Sequence, residues 1–291
     1  MKVRIHFSKG FFPLLIFSLL IVLCLTGCAQ DGSILDNGGN RQLEFSITMH
    51  SWSDSANSNK SSDQKVSSRA APISTFNISN SFNVIADVNK GGNWSTEIKN
   101  ETVSYSTANN IWQTTATHYW PGTNSTVNFY AYYPTSISSS ITHNAGSAPV
   151  LSYTVPDNAA DQIDILTSSK TGVVGDSYTQ TPVDFKHILA AVQFKSGSGG
   201  LPDGTGALLK IKNIQYKGTY TFGSGWTIFP DVKDLSQTVN LSTFGTSADI
   251  TNDGETFMML PQTFSNVTIE ITYTNGLVLS KTINGTWEAG K

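Results

Sequence analysis

The sequence predicts an all-β protein built from layered sheets, and three observations carry that prediction. Charged residues make up 13% of the 291, about half the usual ~25%. Val, Ile, Thr and aromatic residues, the types that pack well on a pleated surface, recur along the whole chain. From Gln42 onward apolar residues repeat with period two in several segments, and no stretch shows convincing helical spacing. The 24 Gly and 10 Pro gather with Asn and Ser between the apolar runs, where turns are needed. With 38% hydrophobic residues, among them 15 Phe, 10 Tyr and 6 Trp, the chain carries too much core material to be disordered.

The first element is not part of the fold. Lys2, Arg4 and Lys9 precede an apolar run from Phe11 to Leu25, interrupted by Pro13 and Ser18. With these flanks the run is too short for a membrane span and reads as a secretory signal over residues 1–27. It ends in Leu25-Thr26-Gly27-Cys28, a lipobox, in which small residues let a signal peptidase bind the extended chain and the Cys28 thiol accepts a diacylglycerol. Cys28 is therefore the expected lipidation site. Cys24 leaves with the signal, so neither a disulfide nor a cysteine metal site is expected in the mature chain. Removing residues 1–27 leaves 15 basic and 21 acidic residues, a net charge of −6. An acidic body without a basic cluster is a poor partner for nucleic acid. Residues 28–41, small, polar and Gly-rich, read as a flexible tether.

The strands follow in order. In Leu43–Met49 the apolar Leu43, Phe45, Ile47 and Met49 alternate with Glu44, Ser46, Thr48 and His50. A polar, Ser-rich stretch from Ser51 to Ser68, closed by Arg69-Ala70-Ala71-Pro72, reads as a surface loop over 51–72. Strands are then expected at Phe82–Val88 and Thr102–Tyr105, and at 127–132, where Val127, Phe129 and Ala131 alternate with Asn128, Tyr130 and Tyr132 as in a half-buried strand. Val150–Val155 is the next strand, and Asp161–Thr167 reads equally as a short helical turn or a strand. Val183–Lys195 contains the long apolar run Ile188–Phe194, which suits a strand buried between layers or bridging two domains. After the Gly-rich break Ser196–Gly206 come Leu208–Tyr216, Thr256–Leu260, the alternating Val267–Tyr273, and Leu277–Ile283. A boundary near Thr181–Lys186 divides the mature chain into domains over 42–184 and 185–291.

Signs of chemistry are sparse. His50, His118, His143 and His187 lie in four separate neighbourhoods without zincin spacing or a carboxylate at a diagnostic offset, so each reads as a surface or strand histidine and no metal site is expected. No nucleophile elbow or phosphate-cradling Gly loop is present. Asp161/Asp164 and Asp231/Asp234 read as solvated loop carboxylates, and Asp157, Asp161 and Asp164 lack the Gly turn and closing Glu of a calcium loop. Trp94, Trp112 and Trp120 crowd with Tyr119, Tyr130, Tyr132 and Tyr133 into one region. Exposed, such rings would stack on sugars or anchor a partner, whereas strand alternation sends about half into the core.

The residues resemble the fimbrillin family of lipoprotein pilins and pilus-associated proteins of Bacteroidetes. The pieces are the lipobox, the early strand Gln42–Met49, the loop closed by Arg69-Ala70, and His118-Tyr119-Trp120-Pro121 followed by Val127–Pro134. Gln162–Leu166, Phe185–Lys195, Phe257–Gln262 and the final Gly285–Lys291 complete the series in the family's order and spacing. The resemblance implies two tandem transthyretin-like β-sandwich domains, no enzymatic activity, no cofactor, and a place in surface fimbriae on the cell outer membrane, held through lipid on Cys28. It implies other fimbrial subunits as partners by β-strand addition, and a host or bacterial surface receptor. In such proteins an early strand fills a groove until a trypsin-like protease cuts after an arginine. Here the plug would be Leu43, Phe45, Ile47 and Met49, and the cut would fall between Arg69 and Ala70. Family members continue beyond the W-x-x-G segment, here Trp287–Gly290, by at least one more strand. The domain over 185–291 is therefore expected to lack its last strand, which favours an anchor, accessory or incomplete subunit over a stalk pilin. A surface glycan-binding lipoprotein using Trp94, Trp112 and Trp120 is the alternative.

Overall fold

The computed structural model describes residues 41–53, 72–177, 179–202, 205–241 and 249–291. The signal segment, Cys28, Arg69, Ala70 and the interior of the 51–72 loop lie outside the described residues.

The first half supplies β1 (Phe45–Met49), β2 (Phe82–Lys90), β3 (Asn93–Ser106), β4 (Ile111–Thr114), β5 (Ser125–Tyr133), β6 (Ile141–Thr142), β7 (Val150–Thr154), β8 (Leu166–Val174) and β9 (Thr181–His187). The second supplies β10 (Ala190–Val192), β11 (Gly206–Gln215), β12 (Lys217–Thr221), β13 (Gly225–Ile228), β14 (Val232–Leu241), β15 (Phe257–Met259), β16 (Gln262–Tyr273) and β17 (Val278–Trp287). Among the described residues, helix is confined to three short 3-10 segments at Thr135–Ser140, Ala159–Asp161 and Asp253–Glu255. The all-β, layered architecture expected from the sequence is the one the chain adopts.

Seven strands pair in the ring order β1-β4-β3-β2-β5-β8-β9, and β1 closes the ring by pairing with both β9 and β4. The β2–β3 hairpin turns through Gly91 and Gly92, whose φ angles of +59° and +89° lie in the region glycine enters without steric cost. Among the described residues the other sheets are two four-stranded ones, β14-β11-β16-β17 and β13-β12-β7-β6, and the small pair β10-β15. β6 and β7 precede β8 and β9 in sequence, yet β7 pairs along its whole length with β12.

Among the described residues there are two hydrophobic cores, and β2 and β5 form the wall between them. Phe82, Val84, Ala86 and Val88 from β2, with Val127, Phe129 and Ala131 from β5, face the barrel core. The opposite faces send Ile85, Tyr130 and Tyr132 into the second core. The alternation at 127–132 thus belongs to a strand buried on both faces rather than half-buried, because the tyrosine rings supply apolar area for a second layer. By contrast β16 is half-buried as expected, with Val267, Ile271 and Tyr273 in the second core.

The long apolar run after Val183 is two strands, not one. β9 ends at His187, β10 starts at Ala190, and the intervening carbonyls are spoken for: Ile188 O accepts from Trp226 Nε1 at 2.7 Å and Leu189 O from Gly290 N at 2.9 Å. Here the chain leaves the barrel for the second core through a break in the ladder. Asp161–Thr167 is both of its alternatives in succession, a 3-10 turn ending at Asp161 and then β8 from Leu166. Between them the fully buried Gln162 donates to Pro156 O at 2.9 Å and accepts from Met258 N at 2.7 Å, joining the two halves of the chain.

Candidate functional site

The alternation in Leu43–Met49 places four apolar side chains on one face, and that face meets the barrel core. Leu43 and Phe45 are buried at 2% and 1% exposure, while Ile47 and Met49 pack against the same core half-buried. The Phe45 ring meets Phe82 and Phe129 edge-on, with centroids 6.2 and 6.3 Å away.

Backbone pairing of β1 is uneven. Along β9 it runs parallel over five partners, from Phe45 opposite Thr181 to Met49 opposite Phe185. Bonds from Thr181 N to Glu44 O at 2.7 Å and from His50 N to Phe185 O at 2.8 Å extend that ladder. Against β4 it has a single register pair, Phe45 opposite Trp112. Ahead of it, Leu43 N donates to His118 O at 2.8 Å and Trp120 N to Arg41 O at 2.9 Å.

The polar face is tied at its two ends. Arg41 forms an ion pair with Asp176 at 2.7 Å. Thr48 Oγ1 donates to Asp184 Oδ1 at 2.9 Å, and His50 Nε2 lies 2.8 Å from Asp184 Oδ2. Burial alone would push the Asp184 carboxyl up; hydrogen bonds from His50 and Thr48 and the charges of His50 and Lys186 outweigh it and hold the group below its ordinary value. The tie therefore keeps its charge to a lower pH than a free aspartate would. Apart from the partly buried Asp176 these groups are substantially exposed, so their contribution is small beside that of the apolar face.

Beyond β1 the chain crosses to the other core. Trp52 packs against the second cluster, and its ring stacks on His187 with centroids 3.9 Å apart and planes at 30°. His187 Nδ1 in turn donates to Asp164 at 2.9 Å, both side chains being 1% exposed. Ile73 N donates to the same carboxylate at 2.9 Å, and Ile73 O accepts from Trp52 Nε1 at 3.1 Å. Asp164 is thus not a solvated loop carboxylate: it is the acceptor at the centre of a buried cluster.

The tryptophans do not form one platform. Trp120 is buried at 1% and meets Phe129 edge-on, and Trp112 belongs to the barrel core beside Phe76, Phe82 and Tyr105. Trp112 faces inward from β4, and Trp120, in the connection between β4 and β5, turns its ring onto Phe129. Trp94 is 37% exposed, one ring face lying over Gly146, where an added Cβ would come within 2.5 Å of the indole. Tyr119 is exposed at 48% and borders an open groove of about 260 Å³ with Lys90, Ser95 and Glu97.

A family description, fimbrillin-like, matches residues 68–291. The chain belongs to the fimbrillin-like family. Solved structures of similar fold include a candidate cell adhesion protein from Bacteroides ovatus, 16% identical, with a TM-score of 0.55 over 85% of this chain and 88% of that one. A fimbrial protein from Bacteroides vulgatus is 17% identical, with a TM-score of 0.50 over 72% of this chain and 84% of that one. No curated protein matches the chain. At these identities the likeness to the solved structures is one of fold.

In this fimbrillin-like chain the residues that sequence reasoning missed are acid–histidine pairs. His50 meets Asp184, His118 meets Glu101 at 3.0 Å, His143 meets the fully buried Asp87 at 2.8 Å, and His187 meets Asp164. The partners are separated by 134, 17, 56 and 23 residues, so no local offset announces them.

Proposed function

We propose that the chain is a lipid-anchored fimbrial subunit or fimbria-associated protein of the cell surface, contributing to adhesion and assembled by proteolysis-triggered strand exchange. The observation that carries this reading is β1 with the residues leading into it: Leu43 and Phe45 in the barrel core, Ile47 and Met49 half-buried against it, and for β1 a full ladder on one flank and one register pair on the other. Such a strand can be replaced by another that repeats its pattern, because backbone pairing supplies affinity and the alternate pockets supply register. Membership of the fimbrillin-like family and the fold shared with a fimbrial protein support the same reading. The two cores support an organisation in two tandem transthyretin-like units, 42–184 and 185–291, with the first lending β6 and β7 to the second. No catalytic step is part of this function.

Brief trypsin digestion of the full chain tests the exchange. The first cut is expected after Arg69 or at Lys60 or Lys65, ahead of basic residues within strands. The clipped protein should then take up a labelled peptide copying Leu43–Met49 while both cores stay folded. Primary cleavage inside a strand, or unfolding in place of uptake, would make β1 an ordinary core strand and remove strand exchange from the reading.

The anchor is tested separately. Cys28→Ala should abolish acyl labelling and leave the precursor unprocessed by the lipoprotein peptidase, its apolar leader still attached. Unchanged processing and labelling in this variant would exclude lipid on Cys28.

A further inference from the structure

We propose that Trp52 is a latch on β1, holding the closing strand of the barrel by gripping the other core. The proposal rests on the reading of β1 as a removable strand and adds what restrains its removal. β1 packs on the barrel core, whereas Trp52, three residues beyond its end, packs on the second core. Opening the β1 ladder from its carboxyl end therefore requires Trp52 to leave His187 at the same time.

Three features make this contact a restraint on opening and not merely one more packed ring. First, the Trp52 ring lies flat on the His187 imidazole, so its departure opens a buried acid–histidine pair whose two side chains are each 1% exposed. Unlatching thereby exposes to water a pair that the closed state buries, and among the described residues His187 Nε2 meets no hydrogen-bond partner. Secondly, Trp52 Nε1 donates to Ile73 O while Ile73 N donates to Asp164 Oδ2, so the latch is fastened to the segment leading into β2 as well as to the pair. Thirdly, Ser53 N donates to Gly290 O at 2.9 Å, and Gly290 N donates to Leu189 O, which adds the carboxyl-terminal segment to the same junction. Trp52 and Ile73 stand on opposite sides of the stretch that contains Arg69. A cut there leaves their hydrogen bond and the stacked ring as a non-covalent clasp, so cleavage alone does not free β1.

Hydrogen exchange on the intact full-length chain measures the latch without any cleavage. In Trp52→Ala, amides of the 43–53 segment and of Thr181 should exchange about 10- to 100-fold faster than in the wild type, the loss of a stacked ring and one hydrogen bond, while β2, β5, β11 and β16 keep their protection. Trp52→Phe, which keeps a flat ring without the indole N–H, should fall between the two and guards against a variant that fails to fold. Unchanged β1 exchange in Trp52→Ala, or an equal rise across β2 and β5, would overturn the latch. Release of β1 after trypsin, timed with the same proteins, separates the two ideas. Release at one common rate refutes the latch and leaves strand exchange standing; faster exchange in the uncut variant with no release after cleavage supports the latch and refutes strand exchange.

Discussion

Replacing Asp164 with alanine is expected to lower the stability of the protein by about 3–5 kcal/mol, the usual cost of removing one partner of a buried pair. The carboxylate accepts from His187 Nδ1 at 2.9 and 3.1 Å and from Ile73 N at 2.9 Å. Alanine strands both donors where water does not reach, and a stranded buried donor costs more than the bond it made was worth. Asp164→Asn should lose less, about 1–3 kcal/mol, because its amide oxygen still accepts one of the two donors. Urea denaturation of the three proteins would measure the order. If Asp164→Ala matched the wild type, the cluster would be energetically neutral and its role at the junction would have to be abandoned.

In β1 the expected losses are graded along the strand. Phe45→Ala should cost about 3–5 kcal/mol, since it removes a ring buried at 1% exposure from between Phe82 and Phe129 and leaves a cavity that the rigid barrel cannot close. Met49→Ala, on a half-buried side chain at the strand's exit, should cost about 1 kcal/mol or less in proportion to its smaller buried area. The gradient has a functional consequence under the proposed exchange: the strand's own packing is firmest at its Leu43–Phe45 end, so once Trp52 has left His187 opening runs from the carboxyl end. Thermal unfolding of the single variants gives the comparison. Equal losses at Phe45 and Met49 would show uniform anchoring and remove that direction of opening.

The strands were legible where apolar residues alternate over a polar opposite face. Leu43–Met49, Leu208–Tyr216 and Val267–Tyr273 overlap β1, β11 and β16, because side chains one apart on a strand point to opposite faces and a solvated face leaves its polar record in the sequence. β12 and β13, over Lys217–Ile228, carry no such signal: their sequences mix Gly, Thr, Lys and aromatic residues, and their burial is largely intermediate, while in β14 the polar Gln237 sits on the buried face between Leu235 and Val239. β5 misled for the converse reason. Tyr130 and Tyr132 look polar enough for a solvated face, yet each ring buries most of its area and sends it into the second core.

By itself the sequence determined the all-β class, the alternating strand over Leu43–Met49 with the face it buries, and the motif order that marks a fimbrillin-like chain. Each is written in neighbouring residues, through period-two alternation, turn composition or a contiguous string. The tertiary structure alone decided that β2 and β5 are walls shared by two cores, that β6 and β7 serve the second, that Trp112 and Trp120 are core, and that every histidine of the described chain has an acidic partner. It also decided that Trp52, Ile73, Asp164 and His187 form one cluster. Such pairings depend on which strands lie side by side and which faces meet. A buried charge selects its partner by proximity in a medium of low polarizability, and that proximity exists only once the chain has closed on itself.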